Sequence, residues 1–187
     1  MAEQISDAEV IEKSRREPEC FAVIFDRYFQ QIHRYVASRI GLAAADDVAA
    51  ETFLAAFDQR ARYDLARPVA RAWLYGIATH LIGRHRRAEM RMYRALARSA
   101  VDGDDGGHAD RVAERISAEQ LQPQLAAGLI ELSEGDRNVL LLIACGQLGY
   151  DEVALALDIP AGTVGSRLHR ARKHLRQALE QEMAHHE

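Results

Sequence analysis

Apolar residues recur three and four positions apart through nearly the whole of this chain, and no stretch alternates with the period of two that a half-buried strand requires. That feature leaves helices as the regular elements able to turn an apolar face to a core, so the expected fold is all-α. Ser6 followed by Glu9 is a capping box, in which each side chain satisfies an orphan amide of a helix start. Pro18 suits the first turn of a second helix, whose Phe21, Ile24, Phe25, Tyr28, Ile32, Tyr35, Val36 and Ile40 share one face and which stops at Gly41. A third helix, about Asp46 to Phe57, has Asp46 and Asp47 in its first turn, favourable against the macrodipole, and is expected to turn Val48, Phe53, Leu54 and Phe57 inward. A fourth, long helix is expected from about Val69 to Arg94.

The periodicity fails at residues 99–110, SAVDGDDGGHAD, where Gly, Asp and Ser crowd together as in a flexible linker. The chain therefore divides into a domain over 1–95, an acidic linker over 96–121 and a second small domain over 122–187. Helical pattern restarts near Val112, a second capping signal pairs Ser133 with Asp136, and Val139 to Leu142 anchor a helix that must be buried. An apolar fraction of 48% in 187 residues is enough for two small cores. No apolar run reaches the roughly 18–20 residues a bilayer span needs, so no membrane insertion is expected. The start, MAEQISDAEV, lacks the layout of a signal peptide. Cys20 and Cys145 have no CxxC spacing and read as buried small apolar residues of a reducing cytosol, which makes the expected location cytoplasmic.

A net charge of −4 argues at first against a nucleic-acid partner, but its distribution does not. Residues 58–99 hold ten basic and three acidic groups, and residues 161–187 hold five and three. The stretch 100–136 holds two basic and nine acidic groups, so two basic islands stand in an acidic background. Taken singly, each island reads as readily as a solvated helix face.

The second island lies in LGYDEVALALDIPAGTVGSRLHRARKHLRQAL, residues 148–179. Tyr150 to Leu157 makes a short amphipathic helix with Val153, Ala154 and Leu157 inward. A corner at Asp158–Pro160 follows, where Asp tolerates a left-handed conformation better than most residues. A further helix starts near Ala161, with Val164, Leu168, Ala171 and Leu175 toward the core. Its opposite face offers Thr163, Ser166, Arg167, His169, Arg170, Lys173 and Arg176. This is the layout of a helix-turn-helix, in which hydroxyl and basic groups near the start of the second helix reach base edges and later ones reach phosphates. An αα-corner with a solvated basic face has the same periodicity. The string GTVGSRLHRARKHLRQAL, within a match over about 130–180, resembles region 4 of the extracytoplasmic-function sigma factors of bacterial RNA polymerase. The resemblance implies that Thr163, Ser166, Arg167, His169, Arg170 and Lys173 read a −35 promoter element. Gly165 departs from the Lys or Arg usual there, losing one contact and costing up to about 1 kcal/mol of helix propensity.

A helix-turn-helix alone suits a stand-alone regulator equally well, and the N-terminal half separates the two. DDVAAETFLAAF, residues 46–57, resembles the region 2 segment that docks on the clamp helices of the largest polymerase subunit. Asp47, Glu51 and Thr52 are its outward candidates, and Ala50 stands where Gln is frequent. RPVARAWLYGIATHLIGRHRRAEMR, residues 67–91, resembles the family's −10-reading and promoter-opening helix. Trp73, Leu74, Ile77, Ala78, Leu81 and Ile82 have core spacing, with Trp73 read mainly as an anchor. Arg71, His80, Arg84, Arg86 and Arg87 are the candidates for the melted strand, since arginine neutralises phosphate and stacks on extruded bases. His80 replaces a common Asn and Arg84 a common Asp, which points to an unusual −10 preference. Residues 60–68 fall where the family captures a flipped base.

The resemblance implies a protein with no catalytic residues, metal or cofactor. Its implied partners are core RNA polymerase (the clamp helices of the largest subunit and the flap of the second), promoter DNA and an anti-sigma factor. No P-loop, HExxH or nucleophile elbow is present. A stand-alone regulator would leave both N-terminal matches accidental. The acidic stretch reads either as a solubilising spacer or as a segment that occupies a basic channel of the polymerase.

Overall fold

The computed structural model describes residues 5–67, 69–98 and 123–183. Every regular element among them is helical. Helix α1 (Asp7–Ser14) opens with the expected capping box: Ser6 Oγ accepts from the Glu9 amide at 3.3 Å while the Ser6 amide donates to Glu9 Oε2 at 2.8 Å. Pro18–Phe21 form a single 3₁₀ turn that runs directly into α2 (Ala22–Ile40). Gly41, at φ 84°, permits the corner into α3 (Leu42–Gln59), so α3 starts four residues earlier than its charge pattern indicates. After a 3₁₀ turn over Arg60–Arg62 come α4 (Arg71–Arg84) and α5 (Arg86–Arg98). The C-terminal elements are α6, described over 123–131, α7 (Glu134–Ala144), α8 (Tyr150–Leu157) and α9 (Ala161–Met183).

Five expectations need correction. The single helix over 69–94 is two helices, because His85 leaves the helical region at φ −93°, ψ 18°. Beyond the bend Glu89 is buried. Leu54 does not pack inward but is 62% exposed, and Phe25, expected on the buried face of α2, is exposed. Thr52 is buried instead of outward; its hydroxyl donates to the Val48 carbonyl at 2.7 Å, which lets a polar side chain enter the core satisfied. The cysteines are free thiols and neither is buried, Cys145 being exposed. The acidic linker and the restart near Val112 lie, from residue 99 to 122, outside the described residues.

The core is continuous through both halves of the chain. Ile24, Ile32, Tyr35 and Val36 of α2 meet Val48 and Phe53 of α3 and Leu74, Ala78 and Ile82 of α4, and the same cluster runs on through Leu142 of α7, Val153 of α8 and Leu168 of α9. The start of α4 is set from far upstream. Buried Asp7 accepts from the Ala70 amide at 2.8 Å, from the Tyr28 hydroxyl at 2.6 Å and from Arg27 at 2.6 Å. Burial and that carboxylate push the Tyr28 hydroxyl pKa well up.

Two of the contacts that join the halves are especially close. At one, α8 crosses α4 so closely that a Cβ on Gly76 would stand 2.5 Å from the Ala156 carbonyl oxygen. At the other, Arg39 of α2 and Arg137 of α7 both face Glu89 of α5, all three almost wholly buried. Arg39 donates to Glu89, to the Tyr35 hydroxyl at 2.8 Å and to Asn138 of α7 at 2.8 Å. Arg137 also donates to the carbonyls of Leu129 and Leu132, both at 3.0 Å. Desolvation disfavours the charged form of Arg39, but Tyr35 and Glu89 outweigh it and hold the guanidinium charged.

Candidate nucleic-acid interface

The helix-turn-helix is built as its sequence dictates. Glu152 caps α8 through the Gly149 amide at 2.8 Å. Asp158 takes the left-handed conformation at φ 50°, ψ 51°, ending α8 and turning the chain toward α9. Val164, Leu168 and Ala171 of α9 are buried, which fixes its other face outward. On that face Ser166, His169, Arg170 and Lys173 are exposed and Thr163 and Arg167 half-buried. A Cβ at Gly165 would meet nothing within 4 Å, so the residue is not imposed by packing.

Two of the α9 cations are already engaged. Arg170 donates to Asp136 near the start of α7 at 2.8 and 3.3 Å. Burial raises the Asp136 carboxyl, but hydrogen bonds from Arg170 and Ser133 and the charges of Arg170 and Arg167 hold it below its ordinary value. Arg167 lies against Gly135, where an added Cβ would come within 2.9 Å of its guanidinium. Lys173 and His169 carry no ion pair among the described residues.

The α4 candidates are more deeply engaged. Arg71 donates to the carbonyls of Gly146 at 2.7 Å and Gln147 at 3.2 Å, and pairs with Glu152 at 3.3 Å. All of these belong to the C-terminal half. His80 is exposed at the mouth of a cleft of about 300 Å³ whose walls include Trp73 and Ile77 of α4 and Leu155 and Ala156 of α8. Arg84 pairs with Glu51 at 2.7 Å. Arg86 stands 3.7 Å from Glu134, and Arg87 is exposed and unpaired among the described residues. Trp73 rests on Tyr63 with ring centroids 4.9 Å apart, as an anchor should. Burial pushes the Tyr63 hydroxyl pKa up to about 12. In the preceding loop Arg60 lies 3.7 Å over the Phe57 ring and donates to the Phe57 carbonyl, and Pro68 is outside the described residues.

On α3, Asp47, Ala50, Glu51 and Leu54 follow one another at three- and four-residue steps and form one outer stripe, with Thr52 on the opposite side. Exposed Leu54 takes the place expected of Thr52. A warning was present in the sequence: Thr52 lies four residues from both Val48 and Ala56, on the inner face. The buried Arg39–Glu89–Arg137 group was missed because both arginines and the glutamate look like surface charges when counted by segment.

The sequence matches the family described as Sigma-70 region 2 over residues 24–92 and that described as Sigma-70, region 4 over residues 124–175. It is 33% identical over 147 residues to the ECF RNA polymerase sigma factor SigC of Mycobacterium tuberculosis, covering 76% of this chain and 74% of the relative. It is 30% identical over 171 residues to the ECF RNA polymerase sigma factor SigW of Bacillus subtilis, covering 86% and 89%. Among solved structures, CnrH in complex with the cytosolic domain of CnrY superposes with a TM-score of 0.64 at 22% identity, over 94% of this chain and 97% of that one. The sigma factor RpoE with the anti-sigma factor NepR, from Bartonella quintana, gives 0.55 at 21%, over 86% and 96%. A helical unit with a half-acidic outer stripe on α3 is followed here by a helix-turn-helix with an outward basic face. The chain belongs to the sigma-70 family, as an extracytoplasmic-function sigma factor that directs promoter-specific initiation by RNA polymerase.

Proposed function

We propose that the chain reads promoters with two faces, α9 on the −35 element and α4 with the start of α5 on the −10 element, while the α3 stripe docks on the clamp helices of the polymerase. In this reading 1–95 and 122–187 are the two promoter-reading units and 96–121 joins them. The residues assigned to −35 are Thr163, Ser166, Arg167, His169, Arg170 and Lys173. Those assigned to −10 are Arg71, His80, Arg84, Arg86 and Arg87, and those assigned to the polymerase are Asp47 and Glu51, now with Leu54. The protein acts in the cytoplasm as an initiation factor, not as a catalyst.

The observation that carries the reading is the contrast between its two basic faces. The α9 face is open, whereas the α4 face lies against α8, with Arg71 bonded to the C-terminal half. A chain in this arrangement is at rest: α8 must leave α4 before single-stranded DNA can reach Arg71. Both solved neighbours are titled as complexes, one with the cytosolic domain of CnrY and one with an anti-sigma factor. We extend that kind of control to this chain, as a partner that holds the two halves until a signal arrives. Among the described residues no helix is long and apolar enough to cross a membrane.

Reconstitution with bacterial core polymerase on a promoter library tests the reading. Promoter-specific transcripts are expected, with R167A/R170A weakening initiation that depends on −35. Duplex binding without any promoter-specific transcription would make the protein a stand-alone regulator instead. Retained −35 preference in the double variant would remove Arg167 and Arg170 from the reading face.

A further inference from the structure

Helix α5 carries a row of charge that the assignments above do not use. At 100° per residue, Arg87, Arg91, Arg94 and Arg98 fall within an arc of about 60° and form a stripe about 16 Å long. All four are exposed, and none has an ion pair among the described residues. The opposite side of the helix holds Glu89 and Tyr93, both buried. The one acidic group of α5 is thus turned inward between Arg39 and Arg137, where it screens nothing on the outer face.

The stripe repels itself. Arg87 with Arg91, Arg91 with Arg94, and Arg94 with Arg98 are like charges three or four residues apart, an arrangement that destabilises a helix. Arg86 and Arg87 also stand in the first turn, against the macrodipole. Lysine–glutamate pairs would have served a merely solvated face better. Arg87, Arg91 and Arg94 also line an open groove of about 970 Å³ that Ile130 of α6 shares.

We propose that Arg91, Arg94 and Arg98, continuing from Arg87, form a binding track for the phosphate backbone of duplex DNA between the −10 and −35 elements. The assignment rests on the promoter reading given above. Helix α5 begins where α4 ends and reaches toward the C-terminal half, Arg86 lying 3.7 Å from Glu134 of α7. The row starts at Arg87, which the reading above assigns to the −10 element, so duplex running on from that element is the phosphate backbone next to it. Over about 16 Å of axis, one strand of B-DNA presents roughly five phosphates, enough to face every arginine of the row. Contacts of this kind carry no sequence information; they position the duplex and make its binding depend on salt.

The test compares wild-type and R91Q/R94Q/R98Q holoenzymes, reconstituted with bacterial core polymerase, on two templates. One carries the full duplex through the −35 element, and the other is a fork with no duplex upstream of the −10 element. On the full template the variant's dependence of log binding constant on log salt flattens by about 2 to 3, near 0.9 for each lost phosphate contact. On the fork the two proteins give the same slope. R91K/R94K/R98K, which keeps the charges, keeps the wild-type slope. Should the glutamine triple melt early, the three single variants carry the test, each flattening the slope by about one third as much. An unchanged slope on the full template overturns the track, and a flattening that persists on the fork overturns its assignment to spacer duplex. A wild-type holoenzyme without promoter-specific binding would overturn the promoter reading beneath it.

Discussion

Helices α4 and α9 are both basic and both are assigned to DNA, yet the fold treats them oppositely. On α9, Lys173 and His169 carry no ion pair among the described residues, while Arg170 and Arg167 lie against the start of α7. The cations of α4 are turned to protein: Arg71 to Gly146, Gln147 and Glu152, Arg84 to Glu51, and the backbone at Gly76 to α8. In the proposed reading, duplex DNA is the ligand of α9, whereas the −10 strand has to be melted before α4 reads it. A face for single strands can therefore stay covered until polymerase and duplex are engaged. The difference between the helices is one of timing, written in which carboxylates and carbonyls each arginine can reach.

The strongest way to break the contrast is to remove what holds the halves together. Glu89→Ala leaves two buried guanidiniums without their carboxylate and is expected to cost about 3–5 kcal/mol, read by denaturant unfolding. Hydrogen exchange should quicken in α4 and α8 before it does in α9. Equal loss in all three helices would mean that the charge group supports the whole fold and not the closed state. Gly76→Val is the more local probe. Its side chain meets the Ala156 carbonyl, and overpacking of this kind costs about 1–3 kcal/mol. Exchange at the α4–α8 crossing should rise while the far-ultraviolet spectrum stays that of the native helices.

The smallest effect is expected on α9. Asp136→Asn frees Arg170 from a half-exposed pair and should change stability by no more than about 1 kcal/mol. Its signature is pH dependence. The Asp136 carboxyl sits below its ordinary value of 3.8 in the folded protein, so its contribution is present above that pH and is lost as pH falls through the lowered value. The variant should lack this part of the acid destabilisation, visible as melting temperatures that converge with wild type at low pH. Melting curves that differ by the same amount at every pH would show that the pair is not what holds Arg170.

The α9 half was largely legible from the sequence, because Val164, Leu168 and Ala171 keep strict helical spacing and Asp158 is one of the few residues that turns left-handed at small cost. The α4 half was legible as elements but not as an environment. Thr52 could be buried because a helical hydroxyl can satisfy itself on the carbonyl four residues back, a choice spacing does not reveal. His85 carries no breaker signal of its own, and Glu89 beyond it pairs with Arg39 and Arg137, which lie fifty and forty-eight residues away in sequence. Arg71 counts as a free cation until the turn at Gly146 and Gln147 is placed beside it. Periodicity reports which side of a helix is apolar, and long-range partners decide which charges remain available.

The most direct measurement of the account locks α8 onto α4. In a protein with Cys20 and Cys145 replaced by serine, Ile77→Cys and Leu155→Cys put thiols on the cleft walls of α4 and α8, to be joined by a short bis-methanethiosulfonate reagent through reducible disulfides. The account predicts that the locked protein still binds −35 duplex through α9 but opens no promoter with core polymerase, and that reduction restores opening. A locked protein that melts the −10 element as well as its reduced form would contradict it.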